Sequence, residues 1–113
     1  MEKHCQPCHS NTQPLDNAAA LLQLKFLPGW KLSSDGKSIV RNLLMKDFLA
    51  AVDFINAIAN IAEAEDHHPD LHLTGYRSLR IELSTHAIRG LSENDFILAG
   101  KIETLPKELK EKK

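Results

Sequence analysis

Between Glu63 and Pro69 the chain reads Glu-Ala-Glu-Asp-His-His-Pro, and a further histidine, His86, follows Ser84 and Thr85. Imidazole is the side chain that both gives and takes a proton near neutral pH without special tuning. Rings brought together at the ends of two adjacent elements therefore suit proton transfer, with one acting as acid and another as base. The same donors could hold zinc or iron, since three histidines make a common catalytic metal set and Asp66 and Asp70 stand close by. Adjacent histidines are awkward ligands for one ion, however, because their rings diverge unless the backbone bends. H-E-x-x-H, by contrast, sets both rings on one helical face. The spacing thus favours acid–base work by His67, His68 and His86. Glu63 lies four residues before His67, so one further turn of helix would put its carboxylate beside that ring.

A second group of donors, His4-Cys5-Gln6-Pro7-Cys8-His9, contains the only two cysteines, Cys5 and Cys8. It has three readings. Cys5 and Cys8 form half of a zinc knuckle, which His4 and His9 could complete locally. Cys5 to His9 also matches C-x-x-C-H, the covalent haem attachment pattern, which would need export and a distal ligand. The bland reading is a reduced tail with no ligand.

The elements that must position the histidines follow from patterning. Asp16-Asn17 caps a short helix through Leu24 that Pro28-Gly29 stops, and Trp30 to Leu44 forms a hairpin turning at Ser33-Ser34-Asp35-Gly36. A long helix from about Met45 to Glu65 carries Phe48, Ala51, Val52, Phe54, Ile55, Ile58, Ile61 and Ala62 around more than half of its circumference. A helix lying on one sheet needs a narrower stripe, so the excess predicts a homo-oligomer, unless the short first helix covers it. Asp70 to Thr74 is extended, Gly75-Tyr76 turns, and Ser78 to Thr85 alternates Leu79, Ile81 and Leu83 with polar residues as a half-buried antiparallel strand does. Ser92 with Asp95 opens the last helix near a capping box, and Pro106 ends it.

The 113 residues make one domain, expected at 14–106 between an N-terminal tail (1–13) and a charged, frayed tail (107–113). With 14 basic and 15 acidic side chains the net charge is −1, which gives no reason to expect nucleic acid or an anionic membrane as partner. No apolar run is long enough to span a bilayer and no secretory signal is visible, so a cytoplasmic protein is expected.

The ordered set Glu63, His67-His68-Pro69, Tyr76, His86 and Asp95 resembles the pattern of the pterin-4a-carbinolamine dehydratases. Pro28-Gly29-Trp30 and the run Gly90-Leu91-Ser92-Glu93 are similar to that family too, and the resemblance extends over about Leu15 to Leu105. Leu71 departs from it, standing where an aromatic is frequent, as does one extra residue between Pro69 and Tyr76. The resemblance implies an α+β fold, a four-stranded antiparallel sheet with about three helices packed on one face, assembled as a homodimer or homotetramer. It implies dehydration of 4a-hydroxytetrahydrobiopterin, the product of aromatic amino acid hydroxylases, to quinonoid dihydropterin without metal or organic cofactor. Carried over to this chain, it makes His67, His68 and His86 the catalytic imidazoles, supported by Glu63 and Asp66. Asp66 to His68 and Ser84, Thr85, His86 and Ala87 line the pterin site, and Trp30 packs beside it. Two rivals stand next to this reading. One is a non-enzymatic dimerisation or transcription-cofactor module on the same fold, and the other is a metal-dependent hydrolase or oxygenase built on the histidines.

Overall fold

The computed structural model describes residues 13–110, so the Cys5–Cys8 motif lies outside the described residues. Three helices, α1 (Asn17–Leu24), α2 (Phe48–Glu65) and α3 (Glu93–Glu103), alternate with four strands, β1 (Trp30–Leu32), β2 (Ile39–Leu44), β3 (Asp70–Thr74) and β4 (Ser78–Leu83). A short 3₁₀ turn spans His86–Ile88. Each helix starts where a side chain satisfies backbone N–H groups that have no partner within the helix. The Asp16 carboxylate accepts from Ala19 N–H at 2.8 Å, Asp47 accepts from Ala50 N–H at 2.8 Å, and Ser92 and Asp95 complete a capping box.

The sheet is antiparallel throughout, in the order β1-β2-β4-β3. Its register puts Ile39 opposite Leu83, Arg41 opposite Ile81 and Leu43 opposite Leu79, so Ile39 and Leu43 of β2 share one face with Leu79, Ile81 and Leu83 of β4. The helices cover that face. Ile39, Ile81 and Leu83 meet Ile58 of α2 and Leu98 and Ile102 of α3, all fully buried. Burying a side chain of this size stabilises by about 1.5–3 kcal/mol relative to leaving it in water. Asn42, His72, Thr74 and Arg80 face the other way and are exposed.

In α2 the buried stripe is Ala50, Ala51, Phe54, Ile58 and Ala62, the one-turn spacing of a single face. Helix α3 lies against α2, while α1 packs on β1, so the first helix does not cover the rest of the α2 surface. Phe48 and Leu49 stay more than half exposed there. Among the described residues no helix is long and apolar enough to cross a membrane.

The tail departs from expectation. Residues Lys107 to Lys110 are docked instead of frayed: Lys46 N–H donates to Glu108 O at 2.9 Å, Lys110 N–H to Leu44 O at 3.0 Å, and Met45 bridges Leu109. The reason is β1, which pairs only with Ile39 to Arg41 and leaves the rest of that side of β2 without partners. Backbone donors and acceptors at a strand edge demand partners, and the tail supplies them despite its charge.

Candidate functional site

Helix α2 ends in a Schellman turn: His67 N–H reaches back to Ala62 O at 3.2 Å and Asp66 N–H to Glu63 O at 3.3 Å. Asp66 takes the left-handed conformation that this turn requires, with φ 52°. The reversal determines where the next two side chains go. His67 swings under α3, where its Nε2 lies 2.7 Å from Asp95 Oδ1 and its side chain is only 12 % exposed. His68 turns back over its own helix, and its Nε2 meets Glu63 Oε2 in a short contact at the surface. The expected pairing of Glu63 with His67 is therefore corrected. It assumed another helical turn, and the left-handed residue at 66 hands Glu63 to His68 instead.

Asp95 is fully buried and is the hub of the arrangement. Its Oδ2 accepts from Thr85 Oγ1 at 2.9 Å and from Ser92 N–H at 2.9 Å, while Oδ1 faces His67. With its only proton committed to Asp95, Thr85 Oγ1 accepts from Ser92 Oγ at 2.7 Å, and Ser92 Oγ in turn accepts Asn94 N–H at 3.2 Å. A buried carboxylate is costly unless its lone pairs are satisfied, and here three donors satisfy them. Paired with an ionised carboxylate, which only accepts, His67 Nε2 is the donor, and Nδ1 is the ring nitrogen that does not face Asp95.

Thr85 also fixes the third histidine. Its backbone pairs with Gly90 in both directions, at 2.8 and 3.4 Å, closing a loop whose tip is the 3₁₀ turn. His86 and Ala87 are exposed on that tip, and Ser84 is half-buried just before it. A side chain at Gly90 would collide with Pro14, whose Cβ is 2.8 Å from where the new Cβ would stand, and Leu15 N–H donates to Leu91 O at 2.8 Å. The loop carrying His86 is thus held from both sides.

Asp95 therefore ties the end of α2, which bears His67 and His68, to the loop that bears His86. The end of α2 also contributes Asp66, which is exposed. Trp30 is not part of this arrangement. It is 4 % exposed, and its Nε1 donates to Glu103 Oε1 at 2.7 Å, eight residues along α3 from Asp95. Tyr76 sits in the β3–β4 turn, at the far end of a five-residue strand from the histidines, about 17 Å along the sheet. Asp95 itself was read from sequence as a cap and as the last member of a pattern, and nothing in local spacing distinguishes a capping aspartate from one that also holds a ring. Among the described residues no group of three or more His, Cys, Asp or Glu side chains is placed to hold a metal ion. A depression of about 850 Å³ lies on the open sheet face between Asn42, His72, Thr74 and Arg80, and His67, His68 and His86 do not line it.

The sequence profile of a family described as pterin 4 alpha carbinolamine dehydratase matches residues 13–105. The chain belongs to that family. A Halorhodospira halophila protein whose name assigns it provisionally to the same dehydratase is 42% identical over 104 residues, 92% of this chain and 94% of that protein. The mitochondrial pterin-4-alpha-carbinolamine dehydratase 2 of Arabidopsis thaliana is 43% identical over 109 residues, 94% of this chain and 58% of that longer protein. Among solved structures, a Brucella melitensis protein titled a transcriptional coactivator/pterin dehydratase superposes with a TM-score of 0.75 at 31% identity, covering 80% of this chain and 96% of that one. The antiparallel sheet under three helices is thus a pterin dehydratase fold, and the Asp95 cluster is built within the matched span.

Proposed function

We propose that this pterin carbinolamine dehydratase family member dehydrates 4a-hydroxytetrahydropterin using His67, His68 and His86. Membership of the family supports the reaction class, a carbon–oxygen hydro-lyase step. The C4a–O bond breaks, the hydroxyl leaves as water with a proton supplied by one imidazole, and N5 gives its proton to another as the C4a=N5 bond forms. The product is a quinonoid dihydropterin, and no electrons enter or leave. General acid–base catalysis of this kind contributes about 100- to 10,000-fold, which suits a step that also runs unaided.

The observation that carries the proposal is the chain from His67 through Asp95 to Thr85, because it fixes one ring's tautomer and, through the backbone, the position of His86. His67, whose Nδ1 does not face Asp95, suits proton transfer from a set position. His86 is the exposed ring on the loop that Thr85 anchors, and His68, leaning on Glu63, acts mainly to hold substrate. Asp66, Ser84, Thr85 and Ala87 border the same ground. The test is decay of freshly generated 4a-hydroxytetrahydrobiopterin, followed by ultraviolet absorbance, with wild type, His67→Ala and His86→Ala. Acceleration by wild type that falls at least about 100-fold in both variants supports the assignment; acceleration that survives both would remove the histidines from the mechanism.

The same reading makes an aromatic amino acid hydroxylase the natural supplier of substrate, as part of tetrahydrobiopterin recycling in the cytoplasm. Exposed Phe48 and Leu49 on α2 support self-association into a homodimer or homotetramer through that helix. A purely non-enzymatic dimerisation or cofactor role would use that surface and not the histidines. The variants above separate the two, since they leave the α2 surface untouched.

A further inference from the structure

The loop that holds His86 carries a second residue with no part in the scheme above. Arg89 closes the 3₁₀ turn, with its N–H donating to His86 O at 3.2 Å, and adopts the left-handed conformation at φ 53°. Side chains other than glycine and asparagine are disfavoured there, and a glycine at this position would be relaxed. Non-glycine residues kept in left-handed backbone cluster at ligand clamps and active sites. Arg89 is exposed, and among the described residues no carboxylate pairs with it. Three acids of α2 and α3 are engaged elsewhere: Glu63 with His68, Asp95 with His67, Thr85 and Ser92, and Glu65 with Lys101. The backbone beneath it is fixed by the Thr85–Gly90 pairing and by Pro14 against Gly90, so this guanidinium stands on a rigid base three residues from His86.

The chemistry of the substrate says what such a cation would meet. In a pterin the side chain leaves from C6, and C6 is bonded to N5, the atom that loses a proton when the 4a-hydroxyl departs. A histidine working at C4a or N5 therefore has the 6-substituent within a few bond lengths, and a long side chain one turn away in the same loop can reach its end. We infer that Arg89 is a specificity-determining residue that favours reduced pterins whose 6-substituent carries an anionic group, a carboxylate or a phosphate. This rests on the dehydratase reading and narrows its substrate class. A guanidinium recognises either anion through paired N–H donors in a planar fork.

The test uses the full chain and three 4a-carbinolamines that differ only at C6: the neutral dihydroxypropyl side chain, its phosphate monoester, and an aminobenzoylglutamate side chain. The ratio of kcat/KM for each anionic substrate over the neutral one is measured for wild type, Arg89→Gly and Arg89→Lys. Wild type should favour at least one anionic substrate by about three- to tenfold at low salt. The preference should shrink as salt is added, and the arm that shows it names the anion as phosphate or carboxylate. Arg89→Gly should bring the ratio close to one while unfolding at a higher temperature than wild type, which excludes damage to the fold as the cause. Arg89→Lys should retain part of the preference as a point charge. Equal ratios in wild type and Arg89→Gly overturn the assignment of Arg89 while leaving the dehydratase reading in place. If wild type accelerates none of the three substrates, the dehydratase reading falls and the assignment falls with it.

Discussion

Helix α3 carries a carboxylate near each end, and each draws donors from distant parts of the chain. At the C-terminal end Glu103 Oε1 accepts from Trp30 Nε1 at 2.7 Å and from Arg41 Nε at 3.0 Å, binding α3 to β1 and β2. At the N-terminal end Asp95 gathers His67, Thr85 and Ser92. The two clusters look alike on a contact map and differ in one chemical respect. An indole N–H and a guanidinium keep their protons at any pH the cell meets, so the Glu103 cluster is a fastening that does not change state. An imidazole can change state, so the Asp95 cluster can take part in a reaction. Solvent access differs as well, since Asp95 is fully buried whereas the Glu103 side chain is 26% exposed.

This contrast can be broken from either end. Asp95→Asn should have the largest effect. The amide offers a donor where Thr85, Ser92 and His67 already donate, so the rate should fall about 100-fold or more and stability by about 1–3 kcal/mol. A variant that loses stability but keeps its rate would make Asp95 a capping residue only. Glu103→Gln should cost about 1–2 kcal/mol in denaturant unfolding with kcat held within about twofold; a rate loss matching that of Asp95→Asn would erase the distinction between the two ends. Thr85→Val removes one donor to Asp95 and the acceptor for Ser92 Oγ, for a loss of about 1 kcal/mol and a decrease in rate smaller than that of Asp95→Asn. Full activity in this variant would mean that the link between His67 and the His86 loop is not needed.

The smallest effect lies far from α3, in the β1–β2 hairpin. The Lys37 backbone N–H, and after it the Ser33 hydroxyl, hold the Asp35 carboxyl below its ordinary value. A depressed folded pKa means that the contribution is complete above the ordinary carboxylate range and is lost as pH falls through the lowered value. Thermal unfolding of Asp35→Asn, followed into acid, should therefore differ slightly from wild type near neutrality and converge with it at the acid end. A gap that widens on acidification would contradict the sign.

Much of this architecture is legible from single residues. Asp16 and Ser92 start helices because their side chains satisfy the first N–H groups, and the alternation of Leu79, Ile81 and Leu83 orients β4 on the helices. The four-stranded antiparallel sheet and its helices follow from such local signals and from the family resemblance. What the sequence does not reveal depends on direction. Spacing brings Glu63 and His67 together only on an unbroken helix, and the turn at Asp66 redirects both histidines. Trp30 reads as a neighbour of the pterin site only through the family resemblance, and its hydrogen-bond partner lies 73 positions away at Glu103. The docking of Lys107 to Lys110 depends on the shortness of β1, which no property of the tail itself discloses.

That docking has a consequence for how the chain is made. The segment that closes the open side of β2 is synthesised roughly sixty residues after it, several seconds later at ribosomal rates of about 5–20 residues per second. Until then a nascent chain with its sheet already formed presents Asn42 to Met45 as an unguarded edge, the kind of surface that recruits other strands. Lys107 to Lys110 therefore act as a closure applied well after β2 is made, and a ribosome stalled just short of Leu109 would leave that edge open and prone to aggregation.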